Sequence, residues 1–405
     1  MVRRFFTIVS LILVLSFTGC MNRSPKTVIT NQGNTSSITN SIQETKGQST
    51  TPLYSIKSSL PIVSLKDAWN NANIKSIDCM LQDKRGWFPL SMSNDGVIVA
   101  TVPSQNNKPE EVILYNSINN TYTSISKLNK ESQHGSADIN DQWVVWTESL
   151  DQSFLIWKIH AYNRVTHQDK VVFETPKDSN DNGYPGPEPN PKLYRDEFIW
   201  SQVIGIGSNN APLINIKKYN LLNNKVTDLI SQGANPNITK GFIIWMGKDG
   251  NNKNSKSALF WNRNNKSEQI STEDEVEYFA NSGDSIAWSG HKFSSPNKWV
   301  IGFIENGKDQ LLLETDDSNA IQFLTMSSRL IAWTEYYKVQ VYDRKLKKVV
   351  TLQDNDASYS STFTNENYLY WTTPIIQDSN TRQEDAKKNG IYLTKINILN
   401  LNELN

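Results

Sequence analysis

Four histidines, two cysteines and a scatter of carboxylates are what this 405-residue chain offers for chemistry. His134, His160, His167 and His291 stand far apart, with no metal-ligand spacing and no assembled Ser-His-Asp pattern. They read as scattered polar side chains, and no catalytic residue, cofactor or metal site follows from them. One stretch does space oxygen ligands. Asp178-Ser179-Asn180-Asp181-Asn182-Gly183 alternates side-chain oxygens and puts glycine sixth, like the first half of a calcium loop. Pro189 stands where such a loop closes on Glu, and Asp, Asn and Gly are also ordinary turn residues, so cation site and plain turn both stay open. Further carboxylates recur near turns: Asp83, Glu131, Glu273 to Glu275, Asp316-Asp317, and Asp354 with Asp356. Gathered on one face, they would form an acidic ring able to attract a cation or a basic partner, offset by Lys108, Lys248, Lys253 and Lys292.

The elements that must position these residues are clearest from Leu330 to Val350. Leu330-Ile331-Ala332-Trp333-Thr334-Glu335 is a short apolar run, and Val339-Gln340-Val341-Tyr342-Asp343 alternates apolar with polar. A turn at Arg344 to Lys347 leads into Lys348-Val349-Val350. This predicts a buried strand, a half-buried strand, a hairpin and an edge strand: three-quarters of a four-stranded antiparallel blade.

The pattern recurs seven times. The apolar strand ends at Ala100, Trp146, Trp200, Trp245, Trp288, Trp333 and Trp371, about 45 residues apart. Apolar pairs such as Val144-Val145, Ile243-Ile244 and Ile331-Ala332 precede it, as in strands covered on both faces. A second column follows with Tyr115-Asn116, Tyr162-Asn163, Tyr219-Asn220, Trp261-Asn262, Ile304-Glu305, Tyr342-Asp343 and Leu399-Asn400. Asn223-Asn224, Asn264-Asn265 and Asn306-Gly307 then supply hairpin chemistry. A period near 45 residues with four strands per unit predicts an all-β, seven-bladed β-propeller, with six or eight blades as alternatives. From Gly86 onward the copies resemble TolB-like repeats, in which an Ile-Ala-Trp strand precedes a Val-Tyr-Asp strand; the resemblance implies a structural or assembly role beside a membrane complex.

Blade seven lacks a fourth strand, because the chain stops soon after Ile391 to Leu401. Ile74 to Leu81 has no blade of its own, and pairing the two would close the ring and remove an exposed edge. Ser58 to Ala72 predicts a short helix capped by Ser64 and anchored by Trp69, alternatively a plug over one end. The longest blade junction, Pro176 to Pro191, carries Tyr184 and five prolines, and the longest second-to-third-strand loop is Thr373 to Gly390. Propeller connectivity puts both on one face, where repeat folds bind partners. The candidates there are Asp178, Asn180, Asn182, Tyr184, Asp316, Asp317, Asp354 and Asp356.

The address comes from the other end. Arg3-Arg4 precedes an apolar run from Phe5 to Phe17, too short to span a bilayer, and Thr18-Gly19-Cys20 resembles the lipobox of bacterial lipoproteins. That resemblance implies a signal peptide over 1–19, cleavage before Cys20 and diacylation of its sulfur. Residues 20–53, rich in Ser, Thr, Asn and Gln, read as a flexible tether, and 54–405 as the propeller. Cys79 then has no disulfide partner. Lysine plus arginine equals aspartate plus glutamate at 41 each, which argues against nucleic acid. The sequence thus points to a lipid-anchored protein outside the cell membrane, with a tether suited to a Gram-positive surface. Its inserted face would bind a protein, peptide or cell-wall glycan; a propeller hydrolase or lyase acting on an extracellular polymer is the rival class.

Overall fold

The computed structural model describes residues 60–404 apart from 106, 129–131, 151–153, 178–181, 209–210, 249–256, 264–265, 271–274, 293–294, 317–320, 336–337, 355–359, 377 and 390–391. Seven sheets succeed one another along the chain, each a four-stranded antiparallel meander: 88–127, 133–174, 192–230, 233–270, 275–316, 322–353, and 362–400 completed from the N-terminus. This is a seven-bladed β-propeller. First strands of successive blades touch around the axis. Second strands such as Trp143–Ser149 and Leu330–Thr334 are buried along their whole length, since neighbouring blades cover both faces of each sheet. The six column tryptophans and Ala100 are all buried in the clusters between blades.

Two expectations change. Val339–Asp343 of blade six is fully buried rather than half-buried, because Trp69 and blade seven pack over it. The predicted helix over 58–72 shrinks to α1 (Leu65–Ala68), with Ser64 as its cap as expected. The residues before it form β1 (Ile62–Ser64), which lies parallel on the outer strand of blade six, Ile62 opposite Val349. An open strand edge satisfies three residues' backbone groups there, which one turn of helix cannot. Trp69 is buried as predicted, its indole donating to Asp343 at 3.0 Å, so this segment braces blades six and seven and does not plug the axis.

Ring closure follows the sequence. β2 (Ile74–Asp78) runs antiparallel to Thr394–Asn400, pairing Ile74 with Leu399 and Asp78 with Lys395. Cys79 is buried behind this seam as a free thiol, and burial pushes its pKa up to about 12.

The Asn or Asp of the second column acquires a reason. Side-chain oxygens of Asn116, Asn163, Asn220 and Asp343 accept the N–H groups two and three residues ahead, at 2.9–3.2 Å. Four residues on, Asn120, His167, Asn224 and Lys347 take positive φ, between 54° and 58°. One turn is thus built four times. The meander divides the molecule into a hairpin face bearing these turns and a loop face bearing the blade junctions and second-to-third-strand loops.

Candidate binding face

The loop face is most elaborated over blades two and three. Pro185, Pro187, Pro189 and Pro191 occupy every second position of the junction insert, so it cannot donate a continuous ladder. The first strand of blade three is consequently only Lys192–Tyr194, while its second strand, Glu197–Ile206, runs ten residues. Beyond Ile199 the insert takes the missing strand's place and makes one ladder-like bond, Ser201 N–H to the Pro189 carbonyl at 3.1 Å. Glu188 locks it down. Its carboxylate accepts from the backbone and hydroxyl of Ser136 and from the hydroxyl of Thr147, all in blade two. A Cβ at Gly135 would lie 2.2 Å from Glu188 Oε1, so this approach requires glycine.

Between the insert and the blades lies a crevice lined by Leu155, Trp157, Tyr184, Pro187, Pro189 and Val203 among others. It encloses about 10 Å³, room for one water molecule and no more. Beside it the hairpin of Glu197–Ile206 and Pro212–Asn220 carries Ile204, Ile206 and Leu213, which are 42, 38 and 41 % exposed. The result is a shallow apolar platform with aromatic and proline neighbours. It can cover an apolar partner surface but cannot engulf a small molecule.

Two histidines that sequence spacing left apart both come beside Glu148 in blade two through strand pairing. His134 lies opposite Glu148, and Trp146 opposite His160. His160 Nε2 is 2.8 Å from Glu148 and its Nδ1 is 3.3 Å from Asp169, with the ring stacked on Trp146 at 4.8 Å. Burial opposes charge on His160, but hydrogen bonds to Asp169 and Glu148 outweigh it and raise the pKa to about 9. Burial likewise favours a neutral Glu148, and hydrogen bonds from His160 and Ser132 overcome it, holding its pKa below the ordinary value. A charged imidazolium cannot act as a general base at neutral pH. His134 bonds Glu110 at 2.9 Å, His291 lies 3.1 Å from Glu277, and His167 meets the hydroxyl of Tyr162. These four ties read as blade fastenings.

The candidate residues fare unevenly. Tyr184 lines the crevice and Asn182 is exposed beside it. Asp178, Asn180, Asp317 and Asp356 lie outside the described residues, as does the side chain of Asp316. Two acidic-ring members have described side chains, and both face cations: Asp83 bonds Lys108 and Arg85, and Asp354 lies 3.7 Å from Lys338. Among the described residues no group of three or more His, Cys, Asp or Glu could hold a metal. Sequence reasoning missed Glu188 and the hydroxyl that follows the column tryptophan. Thr147, Ser201 and Thr372 bond Glu188, Asn235 N–H and Ser361 N–H respectively. The signal was there, since Ser or Thr follows the tryptophan in five copies.

No protein-family model matches the chain, and no curated protein matches it in sequence. Among solved structures, an oligogalacturonate lyase in complex with manganese superposes with a TM-score of 0.56 and 9 % identity, covering 83 % of this chain and 95 % of that one. One of two prolyl endopeptidases gives 0.52 and 10 % over 69 % of this chain, which spans 45 % of that enzyme's length. These likenesses establish a shared propeller fold. TolB from Acinetobacter baumannii is also similar, with a TM-score of 0.38 and 14 % identity over 55 % of this chain and 52 % of that one, too low to carry an argument.

Proposed function

We propose that this is a lipid-anchored extracytoplasmic propeller that binds a polypeptide on the loop face of blade three. The observation behind it is the insert. By replacing half of an inner strand with alternating prolines, it leaves Ile204, Ile206 and Leu213 exposed beside Tyr184, and beyond Ile199 the second strand keeps on that side only the single bond from Ser201 N–H to the Pro189 carbonyl among the described residues. An apolar centre with an aromatic neighbour and a polar surround is the composition of protein interfaces. A cell-wall glycan is the other ligand of such a surface. The likeness to a polymer lyase supplies the rival reading, an enzyme acting on an extracellular polymer.

A photo-crosslinking residue at position 206 in cells tests this directly. We expect a polypeptide adduct that Ile204→Asp with Leu213→Asp reduces about tenfold, at unchanged melting temperature. No adduct, or binding to purified cell-wall glycan that the aspartates leave unaffected, would refute the polypeptide; turnover of an oligosaccharide would favour the enzyme. Anchoring is tested at Cys20, which lies outside the described residues. Cys20→Ala should release the protein into the medium or leave it unprocessed, and unchanged lipid labelling of that variant ends the idea.

A further inference from the structure

The hairpin face carries an apolar feature that folding does not call for. In the repeated turn, the residue two places after the capping Asn or Asp is Ile118 in blade one, Val165 in blade two and Leu222 in blade three. They are 67, 71 and 67 % exposed, the three most exposed large aliphatics on the described hairpin tips. The turn does not require them, because blade six builds it with Lys345 at the same place. Single exposed aliphatics need no explanation, but three at one geometrically fixed position on consecutive blades form a row along one rim. Exposed Lys225, Lys345 and Lys347 stand in or beside such tips; of the exposed carboxylates on that face, Asp141 and Asp284 lie on other hairpins, and Asp95 and Glu366 are paired with Arg164 and Lys240.

The chain enters the propeller from the same face. Pro61 accepts the N–H of Val349, and Ile62 pairs with Val349 at the start of blade six's outer strand, directly after the hairpin turn. We infer that the hairpin face docks on a phospholipid bilayer, with Ile118, Val165 and Leu222 entering the headgroup–acyl boundary and the tip lysines meeting anionic lipid. The inference rests on the anchoring reading. The forty residues from Cys20 to Ser59 could extend to roughly 130 Å, so a lipid alone fixes no orientation, and the surface must choose the face. Docking this way leaves the loop face of blade three turned outward.

The test uses the mature protein on phosphatidylcholine–phosphatidylglycerol vesicles containing a doxyl-labelled lipid quencher. Environment-sensitive fluorophores go on Val165→Cys, Leu222→Cys and, on the opposite face, Asn182→Cys; Cys79 is buried and escapes labelling. We expect quenching about threefold at the two tips and none at 182. Replacing Ile118 and the unlabelled tip by Asn should abolish it while the protein still sediments with vesicles. Tips that stay unquenched on sedimenting protein overturn the docking. Protein lacking lipid and failing to sediment defeats the anchoring reading instead. The same labels then decide against concentrated vesicles, where quenching sustains the docking face and its absence rejects it.

Discussion

His160 shows how a side chain that looks chemical becomes structural. Sandwiched between Glu148 and Asp169 and stacked on Trp146, it is charged when folded and largely neutral when unfolded near pH 8. Its folded pKa is raised, so its contribution is complete below about pH 6.5 and fades as pH climbs through about 9. A shift of that size corresponds to something on the order of 3 kcal/mol. Wild-type protein should therefore lose melting temperature between pH 6.5 and 9, and His160→Gln should be less stable at pH 6.5 with a flatter profile across that range. Parallel profiles would show that the network titrates elsewhere. Glu188 is the other decisive side chain. Either Glu188→Gln or Gly135→Ala should loosen the insert, read as faster cleavage between 182 and 191 in limited proteolysis with little change in global melting. Equal cleavage rates would mean that the prolines alone hold it.

At the scale of the element, the sequence was most readable where burial repeats. Second strands announced themselves because both faces are covered, and the Tyr-Asn column because one turn geometry recurs. Legibility failed where no apolar period exists. α2 (Ser379–Asn389) fills the loop expected at Thr373 to Gly390, yet it is polar on every side and is announced only by Asp378, which accepts the N–H of Thr381 at 2.7 Å, and by freedom from Gly and Pro. β1 carries no sequence signal, because three residues on another blade's edge leave no periodic trace. Of the candidate face, Tyr184 was legible from its place in a long insert, but the docking of Glu188 depends on a partner 52 residues away and no local pattern encodes it. β2 was readable from a deficit, the missing fourth strand. Deleting Ile74 to Asp78 should expose the edge of Thr394–Asn400 and give a protein that aggregates on expression; a monomeric variant melting like the parent would show that the seam is dispensable.

For the whole molecule, the order of attachments at the N-terminus bears on mechanical load. Under the anchoring and partner binding proposed above, the molecule would be pulled between those two points. Tension arriving along the chain meets β1 first, then α1 and the Trp69–Asp343 contact, and only afterwards β2, the strand that completes the ring. β1 belongs to no blade's own set of four, so it can peel from blade six without opening the propeller. Under that load it would act as a strain relief, like the clamp that spares an electrical joint when its cable is tugged. Under a pulling force applied at the N-terminus, extension should begin with a small reversible step from β1 while the ring stays shut. Rupture of the whole domain in the first event would place the load on the seam itself.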